Sequence, residues 1–324
     1  MIQKISIKNF QKWIILLLLI STSAFVYSQN TLTSLMPSNK NLLKGFNLNF
    51  YHNGFIYHSN ALSTDNQFFR LDLNTGNDSL ISTLPFSVGG SLPTISNASQ
   101  FPGTVVISNN AYLLNNDNSF RRYNVVTNSW ITLTSLPTTY TVGKRGITSD
   151  GANYIYVWGG RKSLGTGSSA ANNISYHSDE LWRYSINTNT WFLLSTAPAR
   201  LYCQDAIYNY PYLYFTGGGK WSDYWGGGPN YNIIYQFNLL SNTWSNIYSP
   251  FSFMDHTYGL PSYYIQDNKL YTLHPTTSSS GTSYLGYYNS VTNLWVQEPT
   301  ITTTNFELLY PNTTTGAGDR KSVV

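Results

Sequence analysis

The sequence predicts an all-β protein, a β-propeller with five recognisable blades and a partial sixth, preceded by an N-terminal signal peptide. One observation behind this prediction is a short turn motif ending in Trp, which recurs with a period near 50 residues. A second is that the strands before these turns are apolar on both faces. A third is composition: 16% of the residues are Phe, Trp or Tyr and 10% are charged, which suits a sheet protein.

The N-terminal 28 residues have the features of an export signal. Lys4, Lys8 and Lys12 precede the continuous apolar run 13–20, and Val26 and Ser28 stand at the minus-three and minus-one positions of a cleavage site. The alternative is a retained membrane anchor, which needs about 20 apolar residues, roughly twice the length of this run. We therefore expect cleavage after Ser28, a secreted, periplasmic or cell-surface protein, and no stable membrane span afterwards.

The charge of the mature chain excludes a nucleic-acid partner. Without residues 1–28, 15 basic residues face 14 acidic ones, and the basic pairs are scattered along the chain. Nucleic-acid binding requires a concentrated basic face. Cys203 is the sole cysteine, so an intrachain disulfide and a zinc site with paired cysteines are both excluded. The His and carboxylate spacing matches no metal motif, and we expect no metal and no cofactor.

The repeat is clearest in its turn motif of eight residues. The motif consists of an aromatic residue, Asn or Ser, two variable residues, Thr or Ser, Asn, one variable residue and Trp. A degenerate copy at 71–78 has Asp78 in place of Trp. A β-sandwich, the alternative all-β fold, does not explain this period. The four full copies are YNVVTNSW at 123–130, YSINTNTW at 184–191, FNLLSNTW at 237–244 and YNSVTNLW at 288–295, ending in Trp130, Trp191, Trp244 and Trp295.

Each copy predicts a strand, a tight turn and a second strand. Thr and Asn supply side-chain hydrogen bonds to such turns, and Asn tolerates a left-handed backbone. Upstream, the strand Tyr154 to Trp158 is apolar or aromatic at every position, which indicates cover on both faces. We expect each Trp to fill the space between adjacent blades, where its removal costs about 3–5 kcal/mol.

Over residues 39–300 the chain resembles the kelch family. Members of that family have blades of similar length, a strand ending in two glycines and a turn ending in Trp. Gly159-Gly160 and Gly217-Gly218 match the diglycine, whereas the other three copies have Ser59-Asn60, Asn115-Asn116 and His274-Pro275 there. The resemblance implies a propeller but is nearly silent on function, because kelch propellers include enzymes, glycan binders and protein binders.

The predicted propeller occupies residues 29–324. Its repeats run over about 39–87, 88–139, 140–200, 201–252 and 253–300, and a partial blade combines 301–324 with 30–37. Phe306 to Tyr310 and Lys321 to Val324 would be its first strands, and Thr31 to Leu35 its outermost strand. The expected third strand and Trp turn are missing, so we expect the natural protein to continue beyond Val324.

The candidate binding site lies where the loops between second and third strands meet the inter-blade segments. The loop from Gly219 to Asn232 carries aromatic residues that could stack on sugar rings or anchor a protein. The alternative is that these rings fold back onto neighbouring blades. Arginines on the same side could grip a carboxylate. The candidate residues are Arg145, Arg161, Arg200, Tyr202, Trp221, Tyr224, Trp225 and His256.

These residues favour a binding module for a glycan or a protein, with an enzyme as the alternative. Arg145, Arg161 and Arg200 loosely fit a resemblance to sialic-acid mutarotase-like propellers, but a convincing Glu or His base is missing. A galactose-oxidase-like copper site would use His, Tyr and Cys, yet no Tyr-His pair of this chain falls in a recognisable ligand motif. The oligomeric state stays open.

Overall fold

The computed structural model describes residues 25–28, 48–59, 66–86, 103–115, 117–140, 142–162, 177–219, 233–248, 262–266, 268–274, 282–297, 301–302 and 306–309. The protein is all-β over these ranges, with strands and turns and no helix. In this part of the chain, accordingly, no helix is long and apolar enough to span a membrane.

The strands are short, apart from one. Their bounds are β1 Phe25–Ser28, β2 Asn49–His52, β3 Phe55–Ser59, β4 Gln67–Asp72, β5 Asp78–Thr83, β6 Gly103–Ile107, β7 Asn110–Leu114, β8 Phe120–Asn124, β9 Ser129–Leu133, β10 Val142–Ser149, β11 Tyr154–Arg161, β12 Ser178–Ser185, β13 Thr190–Asn209, β14 Tyr212–Gly219, β15 Ile233–Asn238, β16 Thr243–Tyr248, β17 Ser262–Gln266, β18 Lys269–His274, β19 Thr282–Asn289, β20 Leu294–Gln297, β21 Ile301–Thr302 and β22 Phe306–Leu309.

These strands form antiparallel sheets in which neighbours in sequence are neighbours in space. The first sheet is β2–β5, the second β6–β9, and the fifth β17–β20, with β21 added beside β19. The third and fourth sheets share β13, a strand of 20 residues. The first part of β13 pairs with β12, and its second part pairs with β14 from Tyr202 to Asn209.

The turn between the third and fourth strands of a sheet is built as the motif requires. Its second Asn takes a left-handed backbone in all four full copies, with φ between 50° and 57° at Asn128, Asn189, Asn242 and Asn293. The degenerate copy has Gly76 there, with φ 73°. In three copies the leading Tyr donates to this Asn: Tyr123 to Asn128 (2.6 Å), Tyr184 to Asn189 (2.6 Å) and Tyr288 to Asn293 (2.7 Å).

Consecutive sheets stack face to face, and each of the four described junctions holds a cluster of buried side chains. Phe68 of the first sheet packs with Leu113 and Tyr123 of the second. The second and third sheets share Phe120 and Val157, the third and fourth Trp158 and Phe215, and the fourth and fifth Tyr214 and Leu270. A sheet that is covered on both sides meets water on neither face, which explains why its strands are apolar on both faces.

The repeated Trp of each sheet lies against the sheet before it. Three indole N–H groups donate across the junction: Trp191 to the Thr134 carbonyl (2.8 Å), Trp244 to Ser195 Oγ (3.0 Å) and Trp295 to the Tyr248 carbonyl (2.8 Å). Trp130 packs edge-on to Phe68 and Phe86, at 5.6 and 5.0 Å between ring centroids. Its buried Nε1 finds no hydrogen-bond partner among the described residues.

A two-stranded sheet joins the two ends of the described chain. Strand β1 pairs with β22, with Phe25 opposite Leu309 and Ser28 opposite Phe306. The N-terminal strand that pairs with β22 is thus Phe25–Ser28, the end of the expected signal peptide. The strand expected at Thr31 to Leu35 lies outside the described residues.

Candidate functional site

Antiparallel order gives every sheet two distinct ends. The hairpin end carries the turns between first and second strands and between third and fourth strands. The loop end carries the connections between second and third strands and the segments that lead to the next sheet. The candidate residues taken from the sequence belong to the loop end.

Arg145, in β10 opposite Gly159, is 4% exposed and points into the protein. Its guanidinium donates to the Asn115 carbonyl (3.2 Å), to Asn118 Oδ1 (2.5 Å) and to the Tyr140 carbonyl. It therefore ties the loop end of the second sheet to the third sheet. Burial lowers the pKa of Arg145 to about 10, against the opposing attraction of Asp117 and Glu180, so the group stays charged at neutral pH.

Glu180 is the acidic centre of the same region. Its Oε2 accepts hydrogen bonds from Thr138 Oγ1 (2.5 Å) and from the Trp182 indole (2.8 Å). Burial raises the pKa of the nearby Tyr140 phenol, and the carboxylates of Asp179 and Glu180 act in the same direction. Tyr140 therefore stays protonated at neutral pH, as a donor beside a carboxylate that already has two donors.

Arg200 is a candidate arginine whose side chain reaches the surface. Its Nε donates to Asp179 Oδ2 at 3.0 Å, and the side chains are 41% and 19% exposed. Exposed Lys162 lies with Nζ 5.5 Å from the centroid of the Tyr140 ring. Cationic and carboxylate side chains are thus both present at this end of the third sheet.

The other candidates are placed by backbone or lie outside the described residues. Arg161 is the last residue of β11, opposite Val142, and Tyr202 pairs with Gly219 at the end of β14. Gly159 and Gly160 have φ of 103° and 93°, a backbone that favours glycine, and Gly217 and Gly218 lie within β14. Trp221, Tyr224, Trp225 and His256 lie outside the described residues.

A cavity of about 480 Å³ at the hairpin end was not anticipated from the sequence. It lies between the third and fourth sheets and is lined by four tyrosines, Arg183 and Asp150. The tyrosines are Tyr154 and Tyr156 of β11, Tyr208 of β13 and Tyr210 in the following turn. The only hint in the sequence was the density of tyrosines in and beside two non-adjacent strands, which says nothing about their facing each other.

No cluster of three or more metal-binding side chains is present among the residues that the structure describes. A scan of the chain against protein-family models found no match, and a search of curated proteins found no similar sequence.

Proposed function

We propose that the chain is an exported β-propeller of the kelch type that works as a binding module for a glycan or a protein. The five sheets stacked in sequence order support a propeller, because a ring of blades is the arrangement that covers both faces of every sheet. The Trp turns and the glycines at the end of β11 support the kelch type. Closure of the ring is part of the proposal.

The strand register at the loop end supports the position of the proposed site. Tyr202 stands opposite Gly219, and Leu201 stands opposite Ser178. The aromatic loop that continues from Gly219 therefore starts beside the Arg200–Asp179 ion pair. An aromatic anchor next to partly exposed charges is the usual composition of a recognition surface.

The hydrogen bonds of Arg145 and Glu180 support a binding module over an enzyme. A catalytic site needs charged groups that converge on open space and are available to a substrate. Here the Arg145 guanidinium is bonded to carbonyls of its own chain, and Glu180 already accepts two hydrogen bonds. A mutarotase-like enzyme would have several arginines around the mouth of the propeller. Because Arg145 is buried, Arg161 and Arg200 are the candidates left for that role.

The test of the site is the double substitution Trp221→Ala, Trp225→Ala in the exported protein, with Tyr248→Ala as control. Tyr248 is an aromatic residue that is 63% exposed on an outer strand. We expect wild type and the control to bind the same glycans on an immobilised array, and the double variant to lose at least one of these glycans with an unchanged melting temperature. A large fall in melting temperature, or undiminished binding, would contradict the site.

If the wild type binds no glycan on the array, the protein ligand is tested by cross-linking from a photoreactive residue at position 225 on intact cells. Specific cross-links that the control position 248 does not give would support a protein ligand. Equal labelling from both positions would contradict the binding module.

Export is tested by N-terminal sequencing and intact mass of the natural protein. We expect the mature chain to begin at Gln29. Cleavage after Ser28 would also remove β1 and leave β22 without that partner. A chain that begins at Met1 would contradict the signal peptide.

A further inference from the structure

The cavity between the third and fourth sheets opens at the hairpin end, away from the loops of the proposed binding site. Its floor is the face of the third sheet that carries Tyr154, Tyr156 and Arg183, and its far wall includes Tyr208 and Tyr210. At about 480 Å³ it falls within the range of small-ligand sites. Tyr210 and Leu240 at the rim are 62% and 68% exposed, so the cavity is open to solvent.

Tyr156 is 4% exposed, so the flat apolar surface open to a ligand belongs to the half-buried rings of Tyr154 and Tyr208 and the exposed ring of Tyr210. The rings of Tyr156 and Tyr208 lie nearly parallel across the junction, with centroids 6.1 Å apart and planes at 10°. Burial raises the pKa of both phenols, so both hydroxyls remain donors at neutral pH. Such walls suit a ligand that has an apolar face and a polar edge.

Two charged side chains, Arg183 and Asp150, line the cavity beside Leu194, Leu239, Leu240 and Asn242. Arg183 stacks over the Tyr154 ring at 4.8 Å, and its buried Nε has no hydrogen-bond partner among the described residues. Asp150 is held in place because its Oδ1 accepts the backbone N–H groups of Ala152, Asn153 and Tyr154 at 2.8–2.9 Å. All three bonds use Oδ1, which leaves Oδ2 as the acceptor that the carboxylate can offer to a ligand.

We propose that this cavity is a second binding site, which takes a pyranose unit of a neutral glycan. The C–H face of a pyranose ring is apolar and stacks on tyrosine, while its hydroxyls both donate and accept hydrogen bonds. Those hydroxyls match an acceptor at Asp150 and a donor at Arg183 together. Because Asp150 and Arg183 have opposite charges, these two side chains together give the lining no net charge that would favour an anionic or a cationic ligand, which supports an uncharged partner.

The same position in another sheet provides a matched control for blocking the cavity. Leu240 lines the cavity from the turn between β15 and β16, and Val126 occupies the same motif position in the second sheet, where it is 71% exposed and is not part of the lining. Leu240→Trp should fill the opening, whereas Val126→Trp adds the same bulk elsewhere. Both sites are exposed, so neither change should disturb folding.

The experiment is isothermal titration of the exported protein with cellobiose, maltose, lactose and N,N′-diacetylchitobiose. We expect at least one of these neutral disaccharides to bind wild type and Val126→Trp equally, and not to bind Leu240→Trp. A binding deficit shared by both Trp variants, or unaltered binding to Leu240→Trp, would overturn the proposal. So would failure of all four sugars to bind, or preferential binding of a glucuronic acid disaccharide.

The polar contact is tested by Arg183→Gln, with Arg122→Gln as control. Arg122 has the same place in the second sheet, opposite Tyr112, as Arg183 has opposite Tyr156. Loss of a charge-assisted hydrogen bond should weaken disaccharide binding roughly tenfold in Arg183→Gln and leave Arg122→Gln unchanged. Equal weakening in both would refute a contact at Arg183. The same titration of the Trp221→Ala, Trp225→Ala variant separates the two binding proposals: we expect this variant to keep the disaccharide binding that Leu240→Trp loses.

Discussion

The junction between the first and second sheets and the junction between the third and fourth sheets have the same design but different hydrogen bonding. In both, the register shifts near the outer strand, at Phe68/Phe69 and at Leu181/Trp182. In both, a serine follows the shift and the next sheet contributes a Trp. Ser195 Oγ accepts the Trp244 indole N–H at 3.0 Å, whereas Ser82 Oγ and Trp130 Nε1 are both buried without a hydrogen-bond partner among the described residues.

The difference shows that the repeat motif sets the packing of a Trp but not its hydrogen bond. Packing depends on the ring's position, which the turn fixes. The hydrogen bond also depends on the outer strand of the preceding sheet, where the motif is silent. The first sheet is the one whose motif is degenerate, and in place of Trp it has Asp78, whose Oδ1 lies 3.1 Å from His58 Nε2.

The largest expected effect is on packing at the junction between the third and fourth sheets, where the indole of Trp244 also forms a hydrogen bond. Trp244→Ala should lower the free energy of unfolding by about 3–5 kcal/mol, because the ring contacts Trp158 and Phe237 and leaves a cavity. Urea denaturation followed by circular dichroism measures the loss. A change below about 1 kcal/mol would show that the junction does not depend on this ring.

The next effect concerns the hydrogen-bonded pair of His58 and Asp78, in which Asp78 occupies the motif position of Trp in the first sheet. His58→Phe removes a partner from the Asp78 carboxylate, whose side chain is 1% exposed, and should cost roughly 3 kcal/mol. The double variant His58→Phe, Asp78→Leu should be more stable than the single variant, because it removes the buried charge as well. Equal stabilities in urea denaturation would contradict an energetic link between the two groups.

A smaller effect separates the two tryptophans directly. Replacing Trp by Phe keeps an aromatic ring and removes the indole N–H group. At position 244 this change loses the hydrogen bond to Ser195. At position 130 it removes a buried N–H group that has no hydrogen-bond partner among the described residues. We expect Trp244→Phe to be more destabilising than Trp130→Phe by about 1 kcal/mol. The two variants serve as controls for each other, and the reverse order would show that Trp130 finds a partner in solution.

The smallest expected difference is in alkaline titration, where Tyr123 at the first junction and Tyr184 at the junction between the second and third sheets should behave alike. Burial raises the pKa of Tyr123 and of Tyr184 to about 12, and each donates to the Asn of its own turn. The folded protein holds these protons more tightly than the unfolded chain, so stability is complete below pH 10 and falls as pH rises from 10 to 12. Tyrosinate absorbance should show both groups ionising late; ionisation near pH 10 in the folded protein would contradict their burial.

The sequence predicted the features that depend on local contacts. Asn128 and Asn189 adopt the left-handed backbone expected of their turns, and Trp191 lies between two sheets as expected. The all-β class and the four-stranded antiparallel sheets are confirmed. These features follow from residue patterns that span eight residues or from the spacing of the repeats, and both can be seen in a single sequence.

Features that depend on the neighbouring sheet could not be predicted in the same way. Arg145 was a candidate ligand-binding residue, and its burial depends on carbonyls of Asn115 and Tyr140 that no local pattern brings together. The cavity requires Tyr156 and Tyr208, which are far apart in sequence, to face each other. The pairing of β1 with β22 joins the two ends of the described chain, over the longest separation in it.

Strand β13 has a mechanical consequence, because it runs without interruption from the outer edge of the third sheet to the first strand of the fourth. A pulling force or a protease acts most readily on slack, exposed chain between structural units. The continuous strand offers no such slack between these two sheets, so they should lose their amide protection together in hydrogen exchange and yield as one unit under force.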